Sequence, residues 1–297
     1  MSAKGRRKAC PLSPGRKEHI MKALIGLAFG TALVLPSAAS EHSAAIPVSE
    51  LSHIHGVVLP PKSDLVLLAT HYGLFAVDSA GSARMVSEAA DDFMGFTAAI
   101  DGALYASGHP SKGGNIGIIG AESVDAPWSK LSDGAQGPVD FHALTVSPAD
   151  PLVLYGTYGG IQISRDGGRT WSMAGTGPEE VIDVAAGADD PGQLFAGTMT
   201  GLMESKDYGA TWTIAAAEGL PVTAVETAPD GTLRLFIAGT GFARLDAGQI
   251  EVISNRDEVF LHMAFDREDP NDVMAVTAES DILASNDGGK TWSAFAP

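Results

Sequence analysis

One eight-residue pattern, Ser-x-Asp-x-Gly-x-Thr-Trp, occurs three times in this chain and constrains its fold more than any other feature. The copies begin at Ser164, Ser205 and Ser285, so their aspartates lie 41 and then 80 residues apart. Because the second interval is about twice the first, a degenerate copy is expected between the last two. A period near 40 residues indicates stacked supersecondary units, since each small sheet buries its face only against the next unit.

Short apolar or alternating runs, separated by Gly, Pro, Asn and Asp, divide the chain into six such units. Their bounds are residues 52–88, 92–132, 140–174, 180–215, 220–254 and 258–295. This organisation predicts an all-β fold: one six-bladed β-propeller with four-stranded antiparallel blades, spanning residues 41–297. Two modes of ring closure stay open, either direct packing of the last unit on the first or a shared strand from residues 46–50.

The repeated octapeptide is expected on the turn between the third and fourth strands of a blade. Its Ser and Asp can bond the turn backbone, its glycines permit positive φ, and its Trp can pack between blades. We therefore interpret as structural the residues Ser164, Asp166, Gly168, Trp171, Ser205, Asp207, Gly209, Trp212, Ser285, Asp287, Gly289 and Trp292.

The first forty residues differ in composition from the rest. Lys22, an apolar run over residues 23–35 and small residues up to 40 are typical of a secretory signal that starts at Met21. The apolar run is too short to span a bilayer. Residues 1–40 thus predict an exported protein, periplasmic or secreted, with no membrane insertion after signal cleavage. Cys10 precedes the cleavage region, so disulfides are not expected in the mature chain.

The chain is strongly acidic, with 36 Asp and Glu against 19 Lys and Arg and a net charge of −17. Seven of the basic residues lie before residue 41, which makes the predicted mature protein more acidic still. Such a charge argues against nucleic acid and anionic membranes as partners. It is compatible with cationic partners, including metal ions.

One position near the start of the first strand carries a potential ligand or hydrogen-bonding residue in each of the six units. In blade order these residues are His55, Met94, His142, Asp183, Thr223 and His262. The first strand of a propeller blade is innermost, so their side chains are expected to ring the central channel. Further polar residues are expected at the same end of the channel: His53, Asp92 and Asp140 two positions earlier, and His71 and His109 after the second strands.

Three interpretations of this ring remain open. Imidazole and thioether groups converging from several blades suit a transition metal such as copper. The predicted ligands are His55, Met94, His142 and His262, and an alternative set is His53 and His55 with Asp92. A small organic or glycan ligand is the second interpretation, and its candidate residues are His53, His55, His71, Met94, His109, His142, Asp183 and His262. In the third, the same side chains plug the channel by hydrogen bonding to one another.

The octapeptide is the Asp-box, and the chain resembles exported bacterial BNR-repeat propellers of the sialidase-like group, loosely named glycosyl hydrolases. The matching phrases lie at residues 53–56, 92–97, 107–110 and 140–144. This resemblance implies glycan hydrolysis but supplies no catalytic residue. The candidate carboxylates are Asp92, Asp140 and Asp183, because they are expected at the same channel mouth. The arginine-bearing signature of sialidases is absent from the N-terminal region. The chain is also similar to photosynthesis-assembly propellers, which implies a scaffold with a protein partner as a further alternative.

Overall fold

A computed structural model describes residues 44–296 of the chain. The predicted signal region, residues 1–40 with a start at Met21, lies outside the described residues. Within the described range, no helix is long and apolar enough to cross a membrane. A short 3₁₀ turn over Val48–Glu50 follows the first strand, β1 (Ile46–Pro47).

Six sheets of consecutive antiparallel strands form the described fold. Blade one contains β2 (Ile54–Val58), β3 (Val66–Thr70), β4 (Gly73–Val77) and β5 (Ser82–Met85). Blade two contains β6 (Asp92–Ala98), β7 (Leu104–His109), β8 (Gly117–Ala121) and β9 (Ser129–Ser132). Blade three contains β10 (Leu144–Val146), β11 (Leu154–Thr157), β12 (Ile161–Ser164) and β13 (Ser172–Gly175).

The second half of the ring repeats this plan. Blade four contains β14 (Val181–Ala186), β15 (Leu194–Thr198), β16 (Gly201–Ser205) and β17 (Thr213–Ala216). Blade five contains β18 (Val222–Thr227), β19 (Leu233–Ile237), β20 (Gly241–Asp246) and β21 (Gln249–Ser254). Blade six contains β22 (Phe260–Phe265), β23 (Val273–Thr277), β24 (Ile282–Ser285) and β25 (Ser293–Ala294). The predicted six-bladed propeller of four-stranded antiparallel blades is confirmed.

The hydrophobic core consists of six clusters, each lying between two neighbouring blades. The middle strands β3 and β4 are buried at every residue, because the adjacent blades cover both of their faces. The outer strand β13, by contrast, has no fully buried residue. This distribution explains why the middle strands are continuous apolar runs and the outer strands are polar.

The octapeptide forms a self-bonded turn between β12 and β13. The Ser164 hydroxyl donates to Asp166 Oδ1 (2.9 Å) and accepts the Gly168 backbone N–H (2.9 Å). Asp166 Oδ2 accepts the Thr170 hydroxyl (2.6 Å), and Trp171 Nε1 donates to the Gly168 carbonyl (3.0 Å). The other two copies make the same bonds through Ser205, Asp207, Gly209, Thr211 and Trp212, and through Ser285, Asp287, Gly289, Thr291 and Trp292. These residues hold blade corners rather than the channel.

The ring closes by packing of blade six against blade one. β25 is the fourth strand of blade six, whereas β1 pairs antiparallel with β5 and adds a fifth strand to the outer edge of blade one. Val57 and Val66 of blade one share a hydrophobic cluster with Met274 and Val276 of blade six. Residues 46–47 therefore extend blade one and are not shared with blade six.

A register shift recurs where the inner strands begin. In blade one, Ile54 pairs with Thr70 and Gly56 with Ala69, which leaves His55 as an extra residue between them. Comparable shifts occur in blades two, four, five and six. An extra residue of this kind re-aims the side chains at a strand end. In blades four and six the extra residues are Ile182 and Leu261, so residues at equal sequence spacing do not share one register.

Candidate functional site

Seven polar side chains of blades one to three meet at one end of the channel, and we call this set the mouth cluster. Its members are His53, His55, His71, Asp92, His109, Asp140 and His142. They come from the starts of inner strands and the ends of second strands, which lie at the same end of each blade. The fold thus assembles residues that are separated by up to one third of the chain.

Backbone geometry fixes the first histidines of the cluster. His53 adopts a left-handed conformation (φ 52°), and its carbonyl accepts the His71 backbone N–H at 3.1 Å. The rings of these two residues lie 5.7 Å apart, and the His71 ring lies 6.1 Å from that of His55. A non-glycine residue at positive φ is uncommon and is often found at functional sites. The left-handed turn at His53 brings three imidazoles together.

Asp92 is the centre of the cluster. It is only 5% exposed, and its Oδ2 lies 2.7 Å from His71 Nδ1 and 3.2 Å from His109 Nε2. Its other oxygen, Oδ1, lies 3.7 Å from His55 Nε2, beyond hydrogen-bonding distance. One carboxylate oxygen therefore holds two imidazoles in place, while the other faces a third imidazole without bonding to it.

Asp140 repeats this arrangement in blade three. It is 8% exposed, and its Oδ2 lies 3.6 Å from His109 Nδ1 and 3.5 Å from His142 Nε2. His109 consequently lies between two carboxylates, with one ring nitrogen toward each.

Four buried atoms of the cluster make no hydrogen bond within the part of the chain that the structure describes. They are His55 Nε2, Asp92 Oδ1, His109 Nδ1 and Asp140 Oδ1. A buried polar atom without a partner costs about 1–3 kcal/mol, so such atoms are rare and call for a partner of complementary charge. The four atoms are imidazole nitrogens and carboxylate oxygens, which can bind a divalent transition metal as ligands.

The protonation of the cluster histidines differs. Burial lowers the pKa of His55, and the nearby Asp92 charge only partly opposes this effect. His55 is therefore neutral at pH 7 and keeps a lone pair for a ligand. The hydrogen-bonding interaction with Asp140 raises the pKa of His142, which burial partly opposes.

His262 and Asp183 make none of the contacts that define the mouth cluster, and they line the wall of the channel. His55 nevertheless contributes to the lowered pKa of His262, after the larger effect of burial. Together with Glu226 and Arg267 they border a cavity of about 70 Å³. Asp183 accepts backbone N–H groups from its own strand (Val184, 2.9 Å) and from the next blade (2.8 Å). Burial raises the pKa of Asp183 to about 7 and lowers that of His262 to about 4. These two residues thus belong to the channel wall, where both are half-buried. Near pH 7 His262 is neutral, whereas Asp183 is close to the midpoint of its titration.

The structure separates the predicted ring into these two groups. Met94 lies partly exposed within the register shift of β6, two residues after Asp92. Sequence reasoning named every member of the mouth cluster, but it placed His262 and Asp183 in the same ring because it counted residues without the shifts. It did not select Glu226 or Arg267. The sequence signal for these two is their position, since Glu226 lies near the end of β18 and Arg267 lies two residues after the end of β22.

A family model described as BNR/Asp-box repeat matches residues 162–173, which form one of the three octapeptide turns. Among curated proteins, no sequence matches this chain. Solved structures match over most of it, at identities that establish the fold alone.

A GH74 enzyme from Niastella koreensis has a TM-score of 0.60 and 16% identity, over 82% of this chain and 45% of that one. This chain therefore spans less than half of that enzyme. A protein of the nidogen/laminin complex has a TM-score of 0.61 and 12% identity, covering 78% of this chain and 93% of its own. YCF48 bound to D1 peptide has a TM-score of 0.52 and 17% identity, over 84% and 83% of the two chains. The repeat match and the blade architecture together show that this chain is a BNR/Asp-box-repeat β-propeller.

Proposed function

We propose that this protein binds a divalent transition-metal ion at the mouth of its channel, through His55, His71 and Asp92. The observation that carries this proposal is spacing: one ligand atom of each residue lies within 4.8 Å of the others. Nitrogen and oxygen ligands lie about 2.0–2.2 Å from zinc, so ligands of one ion are roughly 3–3.5 Å apart. Binding of one ion would therefore require the three side chains to rotate so that these atoms move closer together.

The donor set favours particular metals. Imidazole nitrogen with carboxylate oxygen suits Zn²⁺ or Cu²⁺, whereas Ca²⁺ and Mg²⁺ prefer oxygen ligands alone. Copper(I) would prefer a thioether, and the predicted participation of Met94 stays a prediction. We therefore expect Zn²⁺ or Cu²⁺ to bind most tightly.

Neighbouring residues support a ligand role for this set. The Asp92 oxygen that faces away from His55 lies 3.2 Å from His109 Nε2, and such a contact from outside the set of ligands orients a metal ligand. The His71 side chain is 49% exposed, so the proposed ion is reachable from solvent. Three protein ligands leave a fourth position for water or a small molecule. The proposed activity is thus metal binding with an open coordination position, in a protein that we expect to be exported.

The test is metal titration of the protein purified after expression of the full chain and stripped with a chelator. Calorimetry should show stoichiometric binding of Zn²⁺ or Cu²⁺, weakened at least about 100-fold by His71→Ala, because an inner ligand contributes at least as much as an outer one. Asp246→Asn, at an exposed position of blade five, is the control and should bind normally. Absence of binding in the parent, or normal binding by a folded His71→Ala variant, would contradict the proposal.

A second candidate is an organic or glycan ligand at the same mouth. Tyr72 is 55% exposed and its ring lies 5.4 Å from that of His71. Tyr158 is 44% exposed and its hydroxyl accepts Asn115 Nδ2 at 3.0 Å. Exposed aromatic rings beside convergent polar groups favour a small-molecule site. Release of reducing sugar from polysaccharides, lost in Asp92→Asn, would support the glycoside hydrolase alternative. Specific capture of a peptide would support the scaffold alternative.

A further inference from the structure

We propose that the channel binds one small planar oxyanion, of the size of formate, nitrate or bicarbonate, between Thr97, Glu226 and Arg267. These three side chains border the cavity of about 70 Å³ inside the channel, and we call them the floor site. They lie toward the ends of the inner strands, whereas the mouth cluster lies at the starts of those strands. The floor site therefore does not depend on the metal proposed at the mouth.

The Arg267 side chain crosses the end of the channel opposite the mouth. Arg267 lies two residues after the end of β22 in blade six. Its Nη2 donates to the carbonyl of Ala98, the last residue of β6 in blade two, at 3.2 Å. Blade one lies between these two blades, so the guanidinium extends past the end of the blade-one inner strand. This bond uses one of its N–H groups, and the others stay available to a ligand.

The described chain supplies no carboxylate partner to Arg267. The arginines that form ion pairs among residues 44–296 are Arg234, Arg244 and Arg256. Glu226 borders the same cavity as Arg267 but does not pair with it. Arg267 is half-buried, and a charge that is removed from water needs a counter-charge and hydrogen-bond partners. An anion in the cavity would supply both.

Glu226 and Thr97 face this cavity from opposite sides of the ring. Glu226 is the one residue of β18 that is not buried, and Thr97 is half-buried in a strand that is otherwise buried except at Met94. Each is the last residue but one of its inner strand, so the two lie at a similar depth in the channel. Blades two and five are three places apart in a ring of six, so the two side chains converge on the cavity.

The charges around the cavity favour an anion over a cation. Burial raises the pKa of Glu226 to about 8, the Arg267 charge lowers it and the Asp183 charge raises it, and no hydrogen bond contributes. At pH 7 the Glu226 carboxyl therefore keeps a proton that it can donate to a ligand. Asp183 carries part of a negative charge, but its two oxygens already accept backbone N–H groups at 2.9 and 2.8 Å. Burial lowers the pKa of His262 to about 4, so its ring is neutral.

The size of the cavity limits the ligand to a few atoms. A buried water needs about 10–15 Å³ of such volume, so 70 Å³ accommodates roughly five waters or an anion of three or four heavy atoms. A planar oxyanion also matches the fork of N–H groups on a guanidinium. A sugar ring would be too large. The ligand class is thus a small carboxylate or a planar inorganic oxyanion.

The experiment is an NMR titration of [¹³C]formate with the protein purified after expression of the full chain and stripped of metal with a chelator. Saturable binding of one formate per chain is expected. Arg267→Gln should weaken it at least about tenfold, because charge-assisted hydrogen bonds are lost. Since Arg267 also bonds Ala98, Arg267→Lys serves as a second variant that keeps the charge, and it should bind between these limits. Arg84→Gln, at an exposed position of β5, should bind as the parent does.

A second measurement tests the Glu226 proton. Binding by the parent should weaken about tenfold between pH 6.5 and pH 9, because only about a tenth of the molecules still hold this proton at pH 9. Glu226→Gln keeps an N–H donor at the same place. It should bind formate as the parent does at pH 6.5 and lose less affinity at pH 9. Ionisation of Asp183 accounts for the loss that remains.

Three outcomes would overturn the inference. If the parent shows no saturable binding, water alone fills the cavity, and the metal titration still decides the proposed function separately. Formate binding that persists in a folded Arg267→Gln variant but is lost in His142→Ala would locate the anion at the mouth. An equal loss of affinity between pH 6.5 and pH 9 in the parent and Glu226→Gln would exclude the Glu226 carboxyl as a donor to the ligand.

Discussion

Asp92 and His109 are register partners across β6 and β7, and their side chains meet at 3.2 Å. The pair lies at the open end of blade two, between the proposed ligands of blade one and the Asp140 group of blade three. A strand register thus determines which carboxylate can reach the imidazoles of both neighbouring blades. Changes in this pair should affect metal binding more than stability, because other residues form the hydrophobic core.

We expect Asp92→Asn to weaken Zn²⁺ binding at least about 100-fold, which is the upper range for loss of an outer-sphere partner. The amide keeps the size of the side chain but removes its charge, and its NH₂ group cannot accept the protons of His71 and His109. Calorimetric titration measures the change, with Asp246→Asn as the exposed control. Unchanged affinity in the folded variant would exclude Asp92 as a ligand.

Gly108 connects strand packing to the site, because a Cβ added there would lie 1.9 Å from the Asp92 carbonyl oxygen. Real Cβ atoms never approach backbone so closely, so Gly108→Ala must displace Asp92. We expect both a lower melting temperature and metal binding weakened about tenfold or more, since ligand position is disturbed.

The matched control for this change is Gly120→Ala in the same blade. Its added Cβ would first meet the end of the flexible Leu131 side chain at 2.8 Å. Some loss of stability with normal metal binding is expected there. If the Gly108→Ala and Gly120→Ala variants bound metal equally tightly, the close approach of Gly108 to the Asp92 backbone would have no role in positioning Asp92 for metal binding.

The fold was predictable from the sequence because the octapeptide recurs at a fixed period. The predicted second unit, residues 92–132, coincides with the span of β6 to β9. Each unit repeats the same order of apolar runs and turns, so one recognised copy locates its neighbours. The mode of ring closure was not predictable, because β1 is only two residues long and pairs with β5 at the outer edge of blade one.

The candidate site was predictable in part. Counting from the threonine that ends the second strand placed His55 and His262 at one position. The structure places His55 at the extra residue of a register shift, whereas His262 pairs with Val276 beyond the shift in its own blade. One residue of register moves a side chain to the other side of a strand. Register shifts depend on how neighbouring blades pack, which is not visible in a single sequence.

The buried Ser164 hydroxyl makes two hydrogen bonds within its octapeptide turn. Ser164→Ala should therefore lower the free energy of unfolding by about 1–3 kcal/mol. It removes a donor to Asp166 and an acceptor for the Gly168 N–H. Urea denaturation measures the change. Ser172→Ala, exposed on the adjacent strand β13, should cost far less. Equal stability of the two variants would contradict the structural role of the octapeptide serine.

The channel wall predicts a pH dependence of stability that is independent of metal. Burial raises the pKa of Glu226 to about 8, with the Arg267 charge opposing and the Asp183 charge adding to the effect. The folded state therefore holds a proton that the unfolded chain releases near its ordinary carboxyl pKa of about 4.3. This contribution to stability is fully present below that pKa and is lost as the pH rises toward 8.

The Glu226→Gln substitution should remove most of this loss of stability at high pH. Each pKa unit corresponds to about 1.4 kcal/mol, and Glu226 is partly exposed to the channel, so the discounted gain is about 1–2 kcal/mol. We expect the variant to match the parent near pH 4.5 and to exceed it by that amount near pH 9, measured by urea denaturation with chelator present. A residual slope from Asp183 should remain below about pH 7. Glu279→Gln, at an exposed position, should follow the parent. Parallel curves for Glu226→Gln and the parent would mean that Glu226 is ionised in the folded protein throughout this range.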